Sequence, residues 1–174
     1  MSFGRPARVD ERRAVDPRAA RDAALALVAR REHSSAEATA ALLRKGYDPD
    51  VTAATVVELQ QERLLDDARY AESLVRMLTR RGQGPQRVRH ALLAAGITAE
   101  SAATALESAP DWSLLAADVR RRKFGERIPK DWPGKARQMR FLQYRGFSKD
   151  HIASALGGSG ADDPETPENS TDDS

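Results

Sequence analysis

Hydrophobic positions along the chain fall into short clusters at helical spacing, and one cluster is stated three times. From Leu92 to Leu106 a leucine-rich helix end runs into Gly96, apolar Ile97 and then Thr98, which opens a new amphipathic run. Fifty positions upstream the same order appears from Leu42 to Val56, through Gly46, Tyr47 and Asp48. Fifty positions downstream it recurs from Leu142 to Leu156, through Gly146, Phe147 and Ser148. Residue class matches at each place in a chain that is only 40% hydrophobic, which marks an internal repeat. The glycine closes a helix in the left-handed conformation, the next apolar residue packs back on the last turn, and Asp, Thr or Ser caps the following helix. Behind each joint lies an apolar stripe: Thr52, Thr55, Val56 and Leu59; Ala102, Ala105 and Leu106; Ile152, Ala155 and Leu156.

The intervening pattern completes three helices per unit. Pro17 after Asp16 starts a helix to about Arg31 that buries Ala24, Leu25 and Val28; Ser34 or Ser35 opens a second to Lys45, and Asp48-Pro49 a third to about Gln61. In the second unit Asp66 caps a helix with a stripe of Tyr70, Leu74, Met77 and Leu78, and Asp67 meets the positive end of its dipole. Gly82, Gly84 and Pro85 turn the chain into a helix carrying Val88, Ala91, Leu92 and Leu93, and a third runs from Thr98 to Ser108. The third unit opens at Asp111 with Trp112, Leu115 and Val119, continues with a helix from Trp132 or Gly134 to Arg145, and closes from Ser148 to Leu156. The expectation is an all-α protein of three tandem three-helix repeats, residues 17–63, 64–109 and 110–156, in an elongated, curved array. With helices near 21 Å long, three stacked units span roughly 60 Å.

Composition sharpens this outline. Residues 157–174 hold six acids and no base and lack apolar periodicity, so they read as a disordered acidic tail; residues 1–16 read as a flexible lead. Removing both leaves 24 bases against 17 acids, a net of +7 that the whole-chain charge of +2 conceals. A basic body calls for an anionic partner or an acidic protein surface. The chain has no cysteine, no signal-like leader and no apolar run of membrane-spanning length, so a soluble, cytoplasmic protein is expected, and the lack of a spare heptad seam favours a monomer.

Catalytic signals are weak. His33, His90 and His151 stand in different units without carboxylates at metal-binding spacing, and Asp66 with Asp67 is explained by capping. Gly82-Gln83-Gly84 follows no strand and precedes no Lys-Ser/Thr, so it reads as a turn rather than a phosphate cradle. No enzyme, cofactor or metal site is expected. Arginine carries the stronger signal. Between Ser73 and Ala99 there is no acid, while Arg76, Arg80, Arg81, Arg87 and Arg89 crowd together. From Arg120 to Lys149 there are eleven bases and two acids. Cations at helix C-termini account for part of this. Four consecutive bases from Arg120 to Lys123, continued at Arg137, Arg140 and Arg145, go beyond it and suggest a binding surface. Trp112, Tyr70 and Phe141 fit buried stripes; Phe124, Trp132 and Tyr144 lie among the bases, where either core packing or stacking on a partner fits.

The same stretches resemble the RecX family of RecA recombinase regulators: RREHS at Arg30–Ser34, LDDARYA at Leu65–Ala71, GQGPQRVR at Gly82–Arg89, AGI at Ala95–Ile97, RRKFG at Arg121–Gly125 and RQMRFLQYRGFS at Arg137–Ser148. The resemblance implies three three-helix repeats and a non-enzymatic protein that lodges on the RecA filament on DNA. It further implies restraint of the filament's ATPase, strand-exchange and co-protease activities, and hence of recombination and the SOS response. Contact residues carried over by position are Arg121, Arg122, Lys123, Arg137, Arg140 and Arg145, then Arg80, Arg81, Arg87 and Arg89, with Arg69 pairing locally with Asp66 or Asp67. Two rival readings use the same arginines: a helix-turn-helix protein that binds DNA directly, and an adaptor for another acidic protein.

Overall fold

The computed structural model describes residues 10–158; most of the lead and nearly all of the acidic tail lie outside them. The described residues are helical throughout, with no strand. One turn, α1 (Glu11–Ala14), precedes three units: α2 (Pro17–Val28), α3 (Ser35–Lys45) and α4 (Pro49–Gln61); α5 (Asp67–Arg80), α6 (Pro85–Ala94) and α7 (Ala99–Glu107); α8 (Trp112–Phe124), α9 (Trp132–Tyr144) and α10 (Lys149–Ala155). The turn α1 falls inside the stretch read as a flexible lead, and its Ala14 carbonyl accepts from the Asp48 amide at 2.9 Å.

The three joints are the same motif. Gly46, Gly96 and Gly146 have φ of 99°, 80° and 88°. The next residue's amide returns to the carbonyl five positions back: Tyr47 to Leu42 at 3.2 Å, Ile97 to Leu92 at 3.1 Å and Phe147 to Leu142 at 3.2 Å. These bonds satisfy carbonyls that the helix end would otherwise leave without partners. All six side chains involved are buried. Asp48, Thr98 and Ser148 then cap α4, α7 and α10 as the pattern predicts, Ser148 within a capping box completed by His151.

Each unit has its own core, around Leu42 and Leu59, around Val75, Val88 and Leu92, and around Leu142, Phe147 and Ile152. Trp112 packs against both the second and the third. The stripe of α5 is rotated from the expected one: Tyr70, Ala71, Val75 and Thr79 are buried, Leu74 and Leu78 flank them, and Met77 is exposed. On α6 Val88 and Leu92 point inward while Leu93 is exposed. In α2 the tight face is Ala19, Ala20 and Ala24, small enough to bring it close to its neighbours, with Val28 half-buried at its edge.

Consecutive units are joined by their second helices. The carbonyl of Ala95, at the end of α6, accepts from the Ser34 hydroxyl that caps α3, at 2.6 Å. Fifty residues on, the carbonyl of Arg145 at the end of α9 accepts from the amide of Gly84, the N-cap of α6, at 2.7 Å. The Gly146 carbonyl also accepts from the Gln86 amide at 3.1 Å. Each junction thus lays a helix C-terminus on the N-terminus of the preceding unit's second helix and opposes the ends of two dipoles favourably; the terminal carbonyl accepts from the capping hydroxyl at the first junction and from backbone amides at the second. Side chains reinforce the first junction. Asp67 accepts from the Ser35 amide at 2.7 Å, and Arg69 reaches Glu32 at 2.8 Å rather than its neighbours Asp66 and Asp67. The LDDARYA stretch therefore ties the second unit to the first as well as starting α5.

The approach at these junctions excludes side chains. A Cβ on Gly96 would overlap that of Ala36, and one on Gly84 would stand 2.5 Å from the Gly146 backbone. Gly84 has an ordinary φ of −82°, so replacing it tests contact alone. Gly84→Ala is expected to cost about 1–3 kcal/mol, the usual range for overpacking, read as a lower urea midpoint with helix content retained.

Candidate partner-binding surface

The junction between the second and third units also gathers charge. Helix α5 ends in Arg80 and Arg81, α8 in Arg121, Arg122 and Lys123, and α9 at Tyr144-Arg145. Each placement is locally favourable, since cations offset the negative end of a helix dipole. The second-to-third-unit joint then draws the three ends together. A Cβ on Gly82 would lie 2.8 Å from Val119 of α8, so the turn after α5 sits directly against the third unit. The result is a cleft of about 210 Å³ lined by Arg80, Arg81, Arg122, Lys123 and Arg145, with Val119 and Phe141 as apolar wall.

An aromatic ladder orders one side of it. Arg137 lies over the Phe124 ring at 5.7 Å, Phe124 meets Phe141 edge to face at 5.2 Å, and Arg145 covers Phe141 at 5.2 Å. Arg145 also donates to the Arg81 carbonyl at 2.8 Å. Its guanidinium is thus held by a hydrogen bond and a ring face, while no carboxylate lies within 4.0 Å of it among the described residues. Two carboxylates pair at this edge: Asp118, at 2.8 Å from Arg121 and 2.6 Å from Arg122, and Glu126, at 3.6 Å from Arg121. Five cations around a small cleft repel one another, and an anion that enters relieves that repulsion.

The ten sequence-predicted contact residues therefore divide. Arg80, Arg81, Arg122, Lys123 and Arg145 converge in the cleft. Arg121 turns toward Asp118 and Glu126, and Arg137 extends the ladder. Arg87 stacks on Tyr144 at 4.4 Å in a neighbouring groove. Arg89 and Arg140 are exposed on α6 and α9 outside the cleft. The run of four bases is broken by Arg120, which is only 5% exposed and donates to the carbonyls of Gly125 and Glu126, both at 3.2 Å. It closes the end of α8 and belongs to no surface. Phe141, read as core from its spacing, is half-buried and lines the cleft. Its position five residues before Gly146, on the face toward α8, is the signal that sequence reading passed over.

Shifted titrations lie away from this cleft. A hydrogen bond to Glu62 raises Arg21, and one to Glu37 raises Arg31. Burial, then the nearby Glu37 carboxylate, pushes the Tyr70 hydroxyl above its usual range, which keeps it a donor to Glu37 at 3.2 Å. These groups brace the first unit and its junction.

The helical units and their joints define a tandem three-helix-repeat protein with a strongly basic junction between its second and third units. Family models describing the first, second and third three-helix domains of RecX match residues 20–59, 66–106 and 115–156. The regulatory protein RecX of Halorhodospira halophila is 41% identical over 150 residues, covering 86% of this chain and 93% of that protein. The one from Pseudomonas fluorescens strain Pf-5 is 42% identical over 146 residues, covering 83% and 94%. A crystal structure of RecX from Lactobacillus salivarius shares the fold with a TM-score of 0.72 at 20% identity, over 81% of this chain and 94% of that one. The chain belongs to the RecX family, whose members here carry the name of regulatory proteins rather than of enzymes. Among the described residues no helix is long and apolar enough to cross a membrane.

Burial separates two adjacent arginines by role. Arg120→Met leaves the Gly125 and Glu126 carbonyls without their donor and is expected to cost about 1–3 kcal/mol. Arg122→Ala, on the exposed face, should leave the urea midpoint nearly unchanged. Equal midpoints for the two variants contradict the assignment.

Proposed function

We propose that this protein binds the RecA recombinase filament on DNA through the basic junction of its second and third units. On this reading it restrains the filament's ATP hydrolysis, strand exchange and co-protease activity, and with them recombinational repair and the SOS response. The observation that carries the reading is the convergence of Arg80, Arg81, Arg122, Lys123 and Arg145, from three helix ends, in one cleft of a RecX-family chain. Three units in series touch neighbouring protomers of a repeating partner at once, and each engaged unit raises the effective concentration of the next. The chemistry required is binding alone, carried out by a monomer in the cytoplasm, without cofactor or metal.

Direct reading of DNA by the helix-turn-helix joints is the rival. In that mode the helix after the joint enters a groove and presents bases and donors to it. Here those helices carry acids: Asp50 and Glu58 on α4, Glu100 and Glu107 on α7, Asp150 on α10. Their charge disfavours insertion between phosphates, and the cleft cations stand on the helices before the joints and in the turns rather than on the helices after them.

Titration of the protein into DNA-stimulated ATP hydrolysis by the recombinase is expected to inhibit well below one copy per protomer. Inhibition only where bare DNA is already saturated contradicts the reading. Among the described residues Arg80, Lys123, Arg137 and Arg140 have no carboxylate within 4.0 Å, so their reversal leaves no ion pair broken. Arg80→Glu with Lys123→Glu, or Arg137→Glu with Arg140→Glu, should weaken filament binding at least tenfold at unchanged circular dichroism. Unchanged binding in both pairs removes this surface.

A further inference from the structure

Next to the basic cleft, on the other side of the Arg145-Gly146 turn, lies a second and larger hollow between α6 and α9, of about 700 Å³. Its polar lining is Gln83, Gln86, Arg87, His90, Gln143 and Tyr144, and no carboxylate contributes. The absence follows from sequence: α6 and α9 contain no acid at all. Tyr144 is 72% exposed, yet it is not loose, because the Arg87 guanidinium lies 4.4 Å from its ring centroid. A tyrosine held by one cation and otherwise open to solvent presents a fixed ring face.

The lining selects among anionic partners. An acidic peptide needs cations and is indifferent to flat apolar faces and primary amides. An unpaired base needs a ring to stack on and groups that both donate and accept along its edge, which three glutamine amides and an imidazole supply. Duplex DNA keeps its base faces stacked and offers none to a tyrosine. The turn that separates groove from cleft is one residue wide, Gly146 lining the first and Arg145 the second. A single strand crossing it would set a base on one side and its phosphates on the other, where the five cations stand.

We propose that the groove between α6 and α9 is a stacking site for an unpaired base of single-stranded DNA, with Tyr144 and Arg87 as platform and the adjacent cleft receiving the phosphates. This rests on the reading above in taking DNA to be present where the protein acts, but it assigns a contact that the cleft alone does not make. Sequence preference is not expected, since stacking accepts any base and the amides suit several edges.

The test uses the full chain and two short single strands of equal length and charge, one of thymidines with a central 2-aminopurine and one with abasic sites throughout, without recombinase and at low salt. The base-bearing strand should bind about 5–10 times more tightly, a modest outcome for one stacked base, with quenching of the 2-aminopurine fluorescence. Tyr144→Ala should abolish that difference and the quenching while leaving affinity for the abasic strand unchanged, and Tyr144→Phe should retain both. Because Tyr144 is exposed, folding is not at issue, and circular dichroism confirms it. Equal affinity for the two strands overturns the proposal, as does a preference that survives Tyr144→Ala or a variant that weakens both strands alike. If the stacking test fails while recombinase inhibition persists, the groove assignment falls and the filament reading stands; inhibition lost with stacking intact gives the converse.

Discussion

A helix end resting on a helix start is the contact on which this structure depends. Within each unit the helices bury their own small core, and between units little apolar surface is shared apart from Trp112. What sets one unit against the next is the meeting of Ala95 with Ser34 and of Arg145 with Gly84. Both contacts join the same two places in the repeat. A helix terminus carries four polar groups without internal partners, and the stacking of units disposes of some at both termini in one step. The glycines follow from this. Gly96 and Gly146 supply the left-handed turn, and together with Gly84 they let two backbones approach to hydrogen-bonding distance.

The charge distribution is a by-product of that geometry before it is anything else. Arginine and lysine accumulate at helix ends because the dipole favours them there, as at the ends of α3, α5 and α8. At the first junction the resulting charges are answered: Arg31 meets Glu37, and Arg69 meets Glu32. At the second junction the position equivalent to Glu37 is Arg87 and the one equivalent to Glu32 is Gly82, so the corresponding carboxylates are missing. The same scaffold thus yields one neutralised joint and one strongly cationic joint. The difference lies in substitutions between internal copies, among them Ala95 where the second junction has Arg145, rather than in any change of fold.

Most of the architecture was legible in the amino-acid sequence because it is locally encoded. A glycine before an apolar residue and a capping side chain specifies its own hydrogen bonds, and the fifty-residue period announces itself by comparison of the chain with itself. The RecX resemblance was legible for a related reason: its motifs are the joints. What escaped was lateral. Nothing near Arg69 in sequence tells that its partner is Glu32, and nothing distinguishes Arg120 from the three bases after it except the phase of α8. Tyr70, Leu74, Met77 and Leu78 share one helical face, but packing turns α5 so that Ala71, Val75 and Thr79 take the core and Met77 is left exposed, a rotation that spacing alone does not set. Of the candidate surface, the clustering of arginines could be read, but not that Arg80 and Arg81 face Arg122 and Lys123 across a unit boundary.

The second helices have one more property. The end of α9 lies on the start of α6, and the end of α6 lies on the start of α3, so the three form a line that runs opposite to the order of the chain. Such a line has polarity. It begins at the Asp131-capped first turn of α9, beside exposed Trp132, and finishes at the left-handed Gly46 turn of α3, so its two ends are different structures. A twofold-symmetric object can be turned end for end without consequence; this one cannot. Against any partner that itself has direction, the two ways of lying alongside are inequivalent, and the repeated joints make the choice of orientation a property of the fold.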